Sequence, residues 1–143
     1  MSIDVKYTAI ASAVGGREGN AKSDDGRFEA KLSTPRELGG AGGPGTNPEQ
    51  MFAAGYAACF LSAIRYVAAG RKLRITDEAR VSADVGIGSR EDGRGFGLEI
   101  ALEISLPDID PATAAELVEE AHVVCPYSHL ARNGVDVRLS MAA

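Results

Sequence analysis

Apolar positions recur along this chain at spacings that divide it into strand and helix segments. From Ile3 to Val14, β-branched residues and Tyr7 predict a strand closed by Gly15-Gly16, and Arg17-Glu18-Gly19-Asn20 reads as a polar turn. Asp25-Gly26, set between Ala21-Lys22-Ser23 and the stretch Arg27 to Leu32, is a hairpin signal. Pro35 to Gly45 reads as a long loop. Asn47 then opens a helix, with an N-cap amide, Pro48 at the first helical position and Glu49 in the first turn. This helix is expected to run to about Ala69-Gly70 and is apolar nearly all round, which demands burial on all sides, in a core or against a partner chain.

Two further strands fit Ala79 to Ser89 and Phe96 to Leu106, joined by the polar tip Arg90 to Gly95. In the second, Leu98, Ile100, Leu102, Ile104 and Leu106 alternate with polar or small residues, the pattern of a half-buried strand. Asp110-Pro111 opens a second helix with Leu117, Val118, Ala121 and Val124 at helical spacing, and Pro126 breaks it or starts a new one. Val135 to Leu139 predicts a closing strand. Strands at both ends of the chain around one long apolar helix make an α+β protein, and a helix of that kind in so small a chain favours an obligate oligomer.

Length and charge narrow the classes. The 143 residues fit one domain, 1–143, with a real core. The 17 glycines, about 12% against a usual ~7%, gather largely in Gly39 to Gly45 and Gly86 to Gly97 and so mark loops. A net charge of −5 without a basic block argues against nucleic acid or an anionic membrane as the main partner. No signal-peptide pattern is visible at Met1 to Lys6. The longest apolar run, Met51 to Ile64, stops at Arg65, short of the ~20 residues of a spanning helix. A cytoplasmic, reducing location is therefore expected, where a permanent disulfide is disfavoured and a transient or catalytic one is not.

The candidate chemistry centres on the two cysteines. Cys59 lies in the apolar helix after Gly55, and Cys125 precedes Pro126. Free cysteine is among the most buried residue types, so inert packing is the plain reading of Cys59, and redox chemistry is the alternative. Cys125 is expected at an N-cap, beside the positive end of a helix dipole that lowers a thiol pKa. Glu49 alone reads as a first-turn acid and Arg17 alone as a solvated turn residue. Ten residues of unbroken helix would hold Glu49 and Cys59 about 15 Å apart. For the two to share a site the helix must break, with Gly55 the expected place and Cys59 then starting a new helix. His122, Cys125 and His129 have spacings that on one continuous helix would suit zinc, but Pro126 works against that helix and no further histidine is present for a fourth ligand. No metal is expected.

Four separated segments carry a family resemblance: Gly16 to Ala21, Gly45 to Gln50, Ala53 to Phe60 and Val124 to Ser128. With them the chain resembles the organic hydroperoxide resistance proteins of the superfamily they form with the OsmC proteins. The resemblance covers nearly the whole chain. After the second cysteine the family usually continues Ala-Thr-Arg-Gly-Asn, where this chain has Leu130 to Gly134.

The resemblance implies a cysteine-based thiol peroxidase that needs no cofactor and reduces organic hydroperoxides to alcohols. Cys59 would be the peroxidatic nucleophile and Cys125 the resolving thiol. Arg17 would pair with the Cys59 thiolate, and Glu49 would hold the Arg17 guanidinium. The implied assembly is an intertwined homodimer, long central helices wrapped by antiparallel sheets, re-reduced by a dithiol carried on a lipoyl protein. Met51, Phe52, Tyr56, Phe60 and Tyr127 are the candidate lining of a pocket for alkyl or acyl hydroperoxides, each of them also a plain core residue. The alternatives are an OsmC-type peroxidase with another peroxide preference and a non-catalytic dimer that binds lipid or senses redox state.

Overall fold

A computed structural model describes residues 2–142. They gather into two compact units, divided between Met51 and Phe52. In the first, β1 (Ala11–Val14), β2 (Asn20–Ser23) and β3 (Glu29–Lys31) form an antiparallel sheet in the order β1-β2-β3. The register sets Ala11 opposite Ser23 and Ala21 opposite Ala30. The Asp25-Gly26 turn joins β2 to β3 as expected. Asp25 accepts hydrogen bonds from the Ser23 hydroxyl at 2.7 Å and the Arg27 backbone N–H at 3.0 Å, which hold its carboxyl below the usual range. Gly26 supplies the positive φ of 75° that the turn needs.

The N-terminal strand is shorter than Ile3 to Val14. Its partner β2 ends at Ser23, opposite Ala11, so the ladder stops there and residues 2–10 lie exposed without regular pairing. Val135 to Leu139 likewise forms no strand, because nothing among the described residues pairs with it. Period-two patterning marks a segment able to be a strand, and only a partner makes it one.

Helix α1 (Pro48–Gly70) begins at the end of the first unit. The Asn47 amide oxygen accepts the Gln50 N–H at 2.8 Å, satisfying one of the unpaired donors of the first turn. By length and composition alone this 23-residue helix is long and apolar enough to cross a membrane, with a mean hydropathy of 1.4 over 18 residues. That is more than the uninterrupted run Met51 to Ile64 suggests, but its Tyr56, Phe60, Ile64 and Val67 are buried in the core of the second unit. Arg65 does not end the helix, because its guanidinium reaches aside to donate to the carbonyl oxygens of Ile75 and Thr76 at 3.1 and 3.3 Å.

In the second unit, β4 (Arg80–Ser89) and β5 (Phe96–Ser105) form an antiparallel hairpin. It is followed by α2 (Pro111–Val124) and α3 (Pro126–Asn133). The core gathers Tyr56, Phe60, Ile64 and Val67 of α1 with Val81 of β4 and Leu117 and Ala121 of α2, while Ile100, Leu102 and Ile104 of β5 pack against them. Burying a side chain such as Phe60, Ile64 or Leu117 contributes roughly 1.5–3 kcal/mol. Asp110 caps α2 by accepting from the Thr113 N–H, Pro111 starts it, and Pro126 separates it from α3. Arg71, just past α1, binds Glu116 and Glu120 of α2 at 2.7 and 3.6 Å.

Candidate active site

The four residues singled out as catalytic fall into two pairs, one in each unit. Arg17 sits in a 3-10 turn, Gly16–Glu18, between β1 and β2. A side chain at Gly19, just after this turn, would run into the Val14 carbonyl oxygen, so the chain can close here only with glycine. Glu18 accepts the Thr34 N–H at 2.8 Å, and the Thr34 hydroxyl donates to the Arg17 carbonyl at 3.4 Å, pinning the turn from both sides. The Arg17 guanidinium reaches Glu49 as a two-pronged fork, Nη1 to Oε2 at 2.9 Å and Nη2 to Oε1 at 2.6 Å. Each nitrogen meets its own carboxylate oxygen, the geometry that arginine supplies and lysine does not. The hydrogen bonds from Arg17 hold the Glu49 carboxyl below the usual range against the opposing pull of burial, and the same bonds raise the Arg17 pKa. Arg17 and Glu49 thus meet as expected.

The second pair is the two thiols. Both cysteines are free, and Cys125 Sγ donates to Cys59 Sγ at 3.7 Å. Cys125 is fully buried and Cys59 half-buried. Cys125 occupies the N-cap of α3 as expected. Its side chain makes no capping bond, and the thiol turns to Cys59 instead. Burial pushes the Cys59 thiol up, the Tyr127 backbone N–H in the first turn of α3 pulls it down, and the neighbouring Cys125 adds to the rise.

Two expectations are corrected. Helix α1 does not break at Gly55, and Cys59 lies in its middle, not at a helix start. Gly55 serves a different purpose. A Cβ there would lie 2.7 Å from the Tyr127 hydroxyl oxygen, so the missing side chain is what lets the tyrosine ring lie against the helix. An intervening glycine costs a helix about 1 kcal/mol, which packing readily offsets, so it need not interrupt the hydrogen-bond ladder.

Of the candidate pocket residues, Phe52, Tyr56 and Tyr127 form one aromatic cluster with ring centres 5.6–6.0 Å apart. Tyr56 and Phe60 also line a groove of about 270 Å³ with Ile100, Leu102, Val118 and His122. Met51 belongs to the first unit and lies in neither group. Among the described residues, no three histidine, cysteine or acidic side chains gather as a metal site. The helix break at Pro126 removes the shared face that would have aligned His122, Cys125 and His129. His122 hydrogen bonds instead to Ser128, which also bonds Tyr56, a connection that the sequence reading missed. Its trace in the sequence is slight: a small polar residue placed three after Cys125.

The family model described as OsmC-like protein matches residues 39–140. The chain is 55% identical over 138 residues to an organic hydroperoxide resistance protein of Xanthomonas axonopodis pv. citri, covering 96% of each. Its fold superposes with a TM-score of 0.84 on the crystal structure of an organic hydroperoxide resistance protein from Legionella pneumophila, with 44% identity and coverage of 98% of this chain and all of that one. A similar match is a Vibrio cholerae protein described as a putative organic hydroperoxide resistance protein with captopril bound in one of its active sites. There the TM-score is 0.85 and the identity 43%, over 95% and 92% of the two chains.

Proposed function

Because this chain belongs to the OsmC-like protein family and groups there with the organic hydroperoxide resistance proteins, we propose that it is a thiol peroxidase that reduces organic hydroperoxides to alcohols. The observation that carries the reading is the pair of free thiols 3.7 Å apart, one half-buried and one fully buried. In the first step the Cys59 thiolate attacks the outer oxygen of ROOH. The O–O bond breaks, Cys59 becomes a sulfenic acid, and the alkoxide leaves with a proton as ROH. In the second, the Cys125 sulfur attacks the Cys59 sulfur. An S–S bond forms, and the sulfenic oxygen leaves as water with the thiol proton. A dithiol, which we assign to a lipoyl protein, then exchanges with the disulfide and departs oxidised. The burial of Cys125 keeps it from reacting with bulk oxidant, and its nearness protects Cys59 from overoxidation.

The attacking species must be a thiolate, yet the surroundings of Cys59 in its own unit push the thiol up on balance. A positive charge is therefore needed, and we assign it to Arg17, with Glu49 holding the guanidinium in a fixed orientation. Because unbroken α1 keeps Glu49 and Cys59 of one chain about 15 Å apart, the Arg17–Glu49 pair that serves each Cys59 is proposed to come from the second copy in a dimer. Phe52, Tyr56, Phe60 and Tyr127, together with Met51, are proposed to favour alkyl or acyl substituents on the peroxide.

The working form is proposed to be a cytoplasmic homodimer. Support comes from large apolar side chains that the second unit leaves bare, among them Tyr66 of α1, Phe96 of β5 and Val123 of α2. A single chain rarely leaves so many without a partner. The reducing compartment would keep both thiols available between turnovers.

Turnover of cumene hydroperoxide with dihydrolipoamide tests the core of the proposal. Wild type is expected to cycle, Cys59→Ser to lose activity entirely, and Cys125→Ser to reduce about one equivalent and then stall. Full activity in Cys59→Ser would end the assignment, and an unimpaired cycle in Cys125→Ser would remove Cys125 from it. No turnover by wild type would favour the non-catalytic binding or sensing reading. Arg17→Ala is expected to raise the pH midpoint of Cys59 alkylation by roughly 1–3 units, the effect of losing one contacting charge. An unchanged midpoint would refute the pairing. Sedimentation at micromolar concentration should give twice the chain mass, and a monomer there would contradict the dimer.

A further inference from the structure

Ser128 and His122, to which no part of the proposed chemistry falls, form a hydrogen-bonded chain with Tyr56 of the proposed pocket. The Tyr56 hydroxyl and Ser128 Oγ lie 2.7 Å apart, and Ser128 Oγ lies 2.9 Å from His122 Nδ1. Ser128 is fully buried, and Tyr56 is 3% exposed. A serine hydroxyl carries one proton and two lone pairs, so it can serve both neighbours at once. A buried hydroxyl left without its partner is costly, so loss of one member of the junction is felt by the others.

The placement of the three is specific. Tyr56 stands three residues before Cys59 on α1, His122 three before Cys125 on α2, and Ser128 three after Cys125 on α3. The junction therefore ties together the helix that bears one thiol, the helix that leads to the other, and the helix that the second thiol opens. Packing reinforces it, with the Tyr56 ring 5.6 Å from that of Tyr127 and the Phe60 ring 6.4 Å from that of His122. We propose that Ser128 is a positioning residue for the thiol pair: its bonds to Tyr56 and His122 fix the first turn of α3, and so hold the Cys125 sulfur within closing distance of Cys59.

The inference rests on the thiol peroxidase reading, since it concerns the step in which the Cys59 sulfenic acid and the Cys125 thiol become a disulfide and water. A disulfide brings two sulfurs to about 2.05 Å. From 3.7 Å, closure asks only a small movement. A misplacement of about 1 Å can cost ~10²-fold when it moves reacting groups out of line. The Ser128 hydroxyl bonds Tyr56 and His122 and neither sulfur, so its effect runs through helix placement. It should leave the attack of Cys59 on the hydroperoxide alone.

The test uses the full chain, reduced and then mixed with one equivalent of cumene hydroperoxide. Peroxide loss and Cys59–Cys125 disulfide formation are followed separately by acid quench and mass spectrometry. Ser128→Ala is expected to consume peroxide within about twofold of wild type and to close the disulfide at least tenfold more slowly. In dithiothreitol redox buffers its equilibrium constant for disulfide formation should fall about tenfold, or about 30 mV. A loss of global stability shared by the oxidised and reduced forms would not move that equilibrium. Tyr56→Phe removes a hydroxyl and keeps the ring, so it guards against a poorly folded Ser128 variant. It should shift the dithiothreitol equilibrium in the same direction, and the double variant should shift it by less than the product of the two single effects. If Ser128→Ala and Tyr56→Phe both close and equilibrate as wild type does, the positioning role is overturned while the peroxidase reading stands. If wild type itself forms no Cys59–Cys125 disulfide, both fall together.

Discussion

The second unit depends on burying a helix that has no polar face to give to water. Helix α1 carries Tyr56, Phe60, Ile64 and Val67 on the side that meets Leu117 and Ala121 of α2, and the alternating residues of β5 complete the cover. Such a helix cannot stand alone, so the hairpin and the two short helices are arranged around it. The same demand leaves some apolar side chains bare, Tyr66 of α1 among them, and these are the ground for the proposed dimer. It also makes α1 a rigid post, and a post in the middle of a core is where a reactive side chain can be held still.

At Cys59 two physical effects oppose one another. Burial disfavours the thiolate, while the Tyr127 N–H in the first turn of α3 favours it. The sum lies on the side of the neutral thiol. A resting thiol that stays neutral until a cation is brought to it is protected from indiscriminate oxidation. The part proposed for Arg17 is compatible with its observed state, held by a fork of two short hydrogen bonds and not left free in solvent. The contribution proposed for Cys125 is nearness, since its sulfur already lies 3.7 Å from that of Cys59.

Much of the local architecture was legible in the sequence because it rests on short-range chemistry. Asn47-Pro48-Glu49 marked the start of α1, Asp110-Pro111 the start of α2, and Pro126 the break before α3, each through capping or the missing N–H of proline. Asp25-Gly26 marked its hairpin, and the alternation from Leu98 to Ile104 marked β5. What failed depended on partners far along the chain. Gly55 read as a helix break because a glycine within a helix resembles a weakness, when its cause is the Tyr127 ring more than 70 residues later in sequence. The terminal segments Ile3 to Ile10 and Val135 to Leu139 have strand patterning without a strand to pair with. The Tyr56–Ser128–His122 junction was invisible for the same reason, since no local spacing relates a tyrosine on α1 to a serine on α3. Arg17 and Glu49 could be joined beforehand only through the family resemblance.

The central claim is that the two thiols form one redox unit, and intact-mass measurement of the reduced protein after a single equivalent of organic hydroperoxide tests it most directly. The account predicts a product lighter by two hydrogens, with peptide mapping that joins Cys59 to Cys125 within one chain. A product heavier by one oxygen that persists on Cys59, or a protein left unchanged while the peroxide remains, would contradict it.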